Sequence, residues 1–170
     1  MRLFIAINFD DKTKDEILAV QSRLKKMGQG RFTAPENLHL TLAFLGEVYE
    51  EDVADLKSLM NDIEVPAMDL RFSRVGAFRN ESELWWIGLD EDPKLMALQE
   101  KLIRYLKADG FSPDGKKFRP HITLAREMHL GRVEYRELLP QKFTCHVEHM
   151  SLMLSERTSG KLTYSELYKK

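Results

Sequence analysis

The sequence predicts an α+β protein of two lobes. Each lobe is a mostly antiparallel sheet with helices on its outer face, the lobes are related by a pseudo-twofold axis, and a cleft lies between them. Three observations predict this. The chain matches itself at a step of 82 residues, so that His39 falls on His121, Thr41 on Thr123, Leu42 on Leu124 and Ala43 on Ala125. Upstream and without a gap, Ile5 falls on Ile87, Asp10 on Asp92 and Gly28 on Gly110. The order of elements also repeats: apolar run, one-faced helix, turn, strand. The 170 residues are read as one domain of two lobes, with repeat units of about 3–45 and 85–127.

The first strand is LFIAI and its counterpart LWWIGL. Asp10 and Asp92 follow as N-caps, and Pro93 suits an early helical position. Ile17, Val20, Leu24 and Met27 form one apolar helical face, and Leu95, Leu98, Leu102 and Leu106 the other. Gly28 and Gly110 mark the helix ends, and about ten turn-like residues lead to each histidine strand. Between the units, 50–61 reads as a helix, and the alternation after Pro66 through Leu70 and Phe72 reads as a strand. The stretch 127–140 looks irregular, 143–154 alternates as a strand, and GKLTYSELYKK reads as a turn and a last strand. No Gly-rich dinucleotide loop or Walker-type loop appears.

Apolar residues are 43% and charged residues 31%, as in globular proteins. The net charge of −1 argues against a long duplex track, which calls for a strong basic excess, and fits a small ligand or a nucleic-acid end. No run approaches the length of a membrane helix, and the N-terminal apolar run is too short for a signal peptide. With one cysteine, Cys145, no intrachain disulfide forms, so a cytoplasmic protein is expected.

Side chains alternate along a strand, so His39 and Thr41 share one face while Leu38, Leu40 and Leu42 share the other. His121 and Thr123 are likewise opposed to Ile122 and Leu124. One His-x-Thr pair is ordinarily structural. Two in corresponding places put two imidazoles and two hydroxyls around one cleft. One imidazole can accept a proton while the other donates, and the hydroxyls can hold charge developing on a phosphodiester.

With HLTL at 39–42 and HITL at 121–124, extended as PENLHLTLAFLGEV and RPHITLAR, the sequence resembles the 2H phosphoesterases. Among them it is most similar to the RNA 2′,3′-cyclic phosphodiesterases, also called 2′-5′ RNA ligases, over nearly its whole length. The resemblance implies opening of a 2′,3′-cyclic phosphate at an RNA end to a 2′-phosphomonoester, and possible reversal as 2′-5′ ligation. It implies His39 and His121 as the catalytic pair, Thr41 and Thr123 as phosphate holders, and no metal or other cofactor. A 2′-phosphate product requires the 3′ oxygen to leave. The reading taken is His121 as base and His39 as acid, which the pseudo-symmetry leaves open. Small cyclic nucleotides such as a cyclic phosphate of ADP-ribose, and a non-catalytic RNA-end module, are the alternatives. A monomer without an obligate protein partner is expected.

The family pattern R-W-V reads RFT here, so Phe32 takes the base-stacking place. Arg119 shares the His121 face and is a candidate for phosphate or RNA backbone. Arg126 falls on the wrong face of an unbroken strand, and a bulge is needed to turn it to the phosphate. Of Trp85 and Trp86, one at most faces the cleft. In CHVEH (145–149) a regular strand separates His146 from Cys145 and His149, which argues against a metal site.

Overall fold

A computed structural model describes residues 1–79, 83–130 and 133–170. The first sheet has the order β3-β1-β8-β9, from β1 (Arg2–Asn8), β3 (His39–Glu47), β8 (Ser151–Thr158) and β9 (Lys161–Lys169). The second has the order β2-β6-β5-β4-β7, from β2 (Gly28–Phe32), β4 (Met68–Arg79), β5 (Glu83–Leu89), β6 (His121–Leu130) and β7 (Phe143–Val147). All their pairings are antiparallel. The helices are α1 (Asp11–Lys25), α2 (Val53–Asn61), α3 (Pro93–Ala108) and the single turn α4 (Tyr135–Leu138).

The two caps form as expected. Asp10 accepts from the Thr13 amide at 2.8 Å and Asp92 from the Leu95 amide at 3.0 Å. The helices then cross over. Helix α1 follows β1 of the first sheet but packs on β2, β7 and α4 of the second lobe. Helix α3 follows β5 of the second sheet but packs on β3 and α2 of the first. Each sheet therefore buries its apolar face under the other half's helix, and one contiguous core results, with Ile7, Ile17, Phe72, Trp85 and Leu102 all at most 1% exposed.

Three sequence expectations change. Residues 28–32 form an edge strand, not a turn. The alternating stretch 143–154 is two strands in different sheets, β7 and β8. The supposedly irregular stretch begins as strand, since β6 runs to Leu130; positions 131 and 132 lie outside the described residues. The register also corrects the ungapped self-match. Ile7 pairs with Leu40, and Ile87 pairs with Ile122, so β1 and β5 correspond at a step of 80 and not 82. The shift of two residues preserves which side chains face the core.

Candidate active site

Strands β3 and β6 lie against each other where the sheets meet. On each, the motif is interrupted by one extra residue. Ala6 pairs with Thr41 but Ile5 with Ala43, which leaves Leu42 bulged. Trp86 pairs with Thr123 but Trp85 with Ala125, which leaves Leu124 bulged. A bulge shifts the phase of alternation. Beyond it, Phe44 returns to the face of Thr41, opposite Phe4, and Arg126 returns to the face of Thr123. Arg126 thus enters the cleft because of Leu124.

The bulges are held reciprocally. Gln21 of α1, 2% exposed, donates to the Leu124 carbonyl at 3.0 Å and to the Thr33 carbonyl at 2.8 Å. Gln99 of α3 donates to the Leu42 carbonyl at 3.2 Å. Each half's helix props the other half's motif strand. Replacing Gln21 by methionine leaves two carbonyls without this donor and is expected to cost about 1–3 kcal/mol by urea unfolding. Unchanged stability would contradict the bracing role.

Both imidazoles are oriented alike. His39 Nδ1 donates to the Asn37 carbonyl at 2.7 Å, and His121 Nδ1 to the Arg119 carbonyl at 2.6 Å. A carbonyl only accepts, so Nδ1 carries the proton and Nε2 is left for chemistry. Thr41 donates its hydroxyl to Nε2 of neutral His39 at 2.9 Å. Among the described residues, Nε2 of His121 has no hydrogen-bond partner, so the symmetry is broken at this atom.

Each ring sits against two aromatic side chains. Phe4 and Tyr164 lie 4.9 and 5.1 Å from His39, and Phe78 and Trp86 lie 5.2 and 6.4 Å from His121. Trp86 can lie against the sheet because Gly76 and Gly88 flank it, and a Cβ there would come within 2.4 and 2.8 Å of its ring. Trp85, 1% exposed, packs in the core.

Burial pushes His39 from the ordinary 6.5 down to about 4; the Asn37 carbonyl opposes this, while the charges of His121, Arg126 and Lys14 add to it. Burial also lowers His121, against its bond to the Arg119 carbonyl and with help from Arg126. The charge of Arg126 is therefore felt at both rings, and also at Tyr164, whose hydroxyl burial raises.

The sequence candidates separate as follows. His39, Thr41, His121, Thr123 and Arg126 share the cleft. Arg119 orients His121 through its carbonyl, and its side chain is exposed. Phe32 is a correction: it pairs with buried Ala125, packs against the core and lies under the Lys25 ammonium at 5.1 Å, on the helix face. Burial pushes the Cys145 thiol up to about 12, which leaves it unreactive. His146 instead bonds Asp69 at 2.9 Å on the exposed face. Among the described residues, no group of three or more His, Cys, Asp or Glu is placed to hold a metal, and no helix is long and apolar enough to cross a membrane. The sequence leaves Tyr164 open between lining the cleft and packing, and carries no signal for Phe44 or Gln21. For Phe44 and Gln21, only the bulge register and the helix exchange reveal their positions.

A family model described as LigT like Phosphoesterase matches the chain twice, over residues 7–86 and 87–164. An RNA 2′,3′-cyclic phosphodiesterase of Archaeoglobus fulgidus is 35% identical over 128 residues, which is 74% of this chain and 72% of that protein. One of Thermotoga maritima is 34% identical over 140 residues, 79% of this chain and 71% of that protein. Among solved structures, E. coli LigT complexed with 3′-AMP superposes with a TM-score of 0.84 at 29% identity, covering 99% of this chain and 96% of that one.

Proposed function

The chain belongs to the LigT-like, or 2H, phosphoesterase family, and on that premise we propose that it hydrolyses 2′,3′-cyclic phosphates at RNA ends to 2′-phosphomonoesters. The observation that carries this reading is the pair of imidazoles with the same tautomer, each beside a threonine, on facing strands. The repeat units 3–45 and 85–127 are proposed as the origin of that pairing, with the two-residue offset in their first strands.

In this mechanism, Nε2 of His121 takes a proton from water as the water attacks phosphorus in line. The P–O3′ bond breaks, and Nε2 of His39 protonates the departing 3′ oxygen. Thr41, Thr123 and Arg126 hold the non-bridging oxygens, where charge accumulates. No metal or nucleotide cofactor enters the scheme. With the 5′ hydroxyl of a second RNA end in place of water, the same groups would break the P–O3′ bond and leave a 2′-5′ linkage. Buried imidazoles beside Arg126 resist a second positive charge in the empty cleft, and a phosphodiester anion relieves that resistance.

The pair must carry one proton. In the empty cleft burial pushes His39, the acid, down to about 4 and lowers His121 as well, so above that pH His39 holds its proton only in a minor fraction until the phosphodiester anion raises it. At low pH both rings are charged and no base remains; at high pH both are neutral and no acid remains. kcat/KM is therefore expected to peak between these limits and to fall by about tenfold per pH unit on the alkaline side. A rate that stays flat to pH 9 would contradict paired-histidine catalysis.

The activity itself is tested by product analysis. A short oligonucleotide ending in a 2′,3′-cyclic phosphate should yield a terminal 2′-phosphate faster than the matching mononucleotide does. Equal rates would place the activity on small cyclic nucleotides, and binding without turnover would make the protein an RNA-end module.

A further inference from the structure

Strand register carries the pseudo-twofold outward from the two histidines. At the step of 80, Asn8 and Gly88 correspond, and each is the cross-strand partner of its histidine, Asn8 of His39 and Gly88 of His121. Cross-strand partners share a face, so both rows continue on the cleft side of their sheets. What each row leads to differs in charge.

In the first sheet the row leads to a carboxylate. Asn8 donates to Glu166 of β9 at 3.3 Å, and buried Ser151 donates to the same oxygen at 2.5 Å. In the second sheet the row leads to a guanidinium, since Gly88 pairs with Arg74 of β4. A Cβ on Gly88 would stand 3.1 Å from Arg74 Cγ and 3.2 Å from its Nε. Glycine therefore leaves the space in which Arg74 lies back toward His121. Cβ positions across an antiparallel pair are about 4.5–5.5 Å apart, so Arg74 Nε comes within one strand of the root of that imidazole.

Arg74 reaches the cleft face through a bulge. Phe72 pairs with Leu89 but Arg74 with Gly88, which leaves Ser73 without a partner. Leu70 and Phe72 are buried in the core, so Arg71 points to the opposite face, and the bulge returns Arg74 to it. Both arginines are exposed, and among the described residues neither has an ion-pair partner, whereas Arg31 is paired with Glu127 and Arg79 with Glu83. Asp69 follows on the same face, engaged by His146, so the cationic stretch is short. An unpaired guanidinium fork matches a phosphate. A second phosphate beside the reacting one belongs to a nucleic-acid strand.

We propose that Arg74 receives the phosphodiester one nucleotide upstream of the reacting phosphate, so that the RNA strand leaves the histidine pair over the second sheet and is kept off the first by Glu166. This inference rests on the cyclic-phosphate reading above, and it assigns an RNA chain as the substrate of that site in place of a small cyclic nucleotide. Arg71 extends the same cationic face.

Calorimetric binding of 2′-AMP, of adenosine 2′,5′-bisphosphate and of the adenosine dinucleotide ending in a 2′-phosphate tests the path without requiring turnover. The proteins compared are the wild type, Arg74→Ala, Arg74→Lys and Arg74→Glu. In the wild type the two ligands with a second phosphate should bind more tightly than 2′-AMP. That advantage should shrink by about threefold to tenfold in Arg74→Ala, shrink further in Arg74→Glu and largely survive in Arg74→Lys. The slope of log affinity for the dinucleotide against log salt should flatten by about 0.7 in Arg74→Ala, as for one lost contact to a single strand. Equal wild-type affinity for 2′-AMP and the dinucleotide, an Arg74→Ala loss of the same size for all three ligands, or an undiminished advantage in Arg74→Glu would overturn the proposal. An advantage confined to the bisphosphate would make this a site for a mononucleotide 5′-phosphate and overturn it too. A wild type that shows the Arg74-dependent advantage yet opens no cyclic phosphate would instead sink the catalytic reading and leave the strand path standing.

Discussion

His39→Ala and His121→Ala are each expected to lower kcat on a cyclic-phosphate oligonucleotide by about 10²–10⁴-fold. The double variant should lose far less than the product of the two single losses, because removing either proton carrier already disables the concerted transfer. The reason is geometric. Each ring's Nδ1 is committed to a backbone carbonyl, at 2.7 Å for His39 and 2.6 Å for His121, so one nitrogen per ring remains and its direction is fixed. Water cannot replace that orientation. Urea unfolding of the same variants separates chemistry from folding. His121 is partly exposed, and its variant should unfold close to the wild type. Either single variant retaining full turnover would remove the imidazole pair from the mechanism.

Arg126→Met is the second large effect, with an expected loss of about 10²–10³-fold in kcat, the size found when one donor to a developing oxyanion is removed. Its side chain is exposed, so little stability should go with it. A second readout separates it from a general disturbance of the cleft. The Arg126 charge lowers the pKa of both His39 and His121. Removing the charge lets both rings hold a proton to higher pH, so the kcat/KM profile should move to the alkaline side. Arg126→Lys keeps a charge without the planar fork and should retain the wild-type profile while recovering only part of the rate. A rate loss with no movement of the profile would mean that Arg126 does not act at the imidazoles.

Much of this site was legible in the sequence because alternation along a strand is a strict rule. The leucines and isoleucine anchor each motif strand to the core, which fixes the opposite face for His39, Thr41, His121 and Thr123. The duplicated helix caps at Asp10 and Asp92 were legible for a similar reason, since one side chain and one amide three residues on decide them.

The sequence does not announce a bulge. Leu42 and Leu124 are ordinary strand residues, and their displacement comes from pairing with β1 and β5 and from glutamines that arrive from the other half. The faces of Phe44 and Arg126 therefore depended on tertiary structure. The same is true of Phe32, whose place rests on β2. That strand is hard to see because Gly28 and Gly30 lower strand propensity. They are there for space: a Cβ on Gly28 would come within 2.3 Å of the His129 carbonyl oxygen, and one on Gly30 within 2.3 Å of the Met128 sulfur. The helix exchange has no sequence signature either. Apolar periodicity in α1 shows that a face is buried, but not in which lobe.

The most direct measurement is a crystal structure with 2′-AMP bound. Nε2 of His121 should lie within hydrogen-bond reach of the 2′-phosphate and Nε2 of His39 within the same reach of the ribose 3′ hydroxyl, about 2.6–3.2 Å, with Arg126 on the phosphate oxygens. A 2′-AMP that meets one imidazole alone, with neither its phosphate nor its 3′ hydroxyl reaching the other, or that binds outside the space between β3 and β6, would contradict catalysis by the pair.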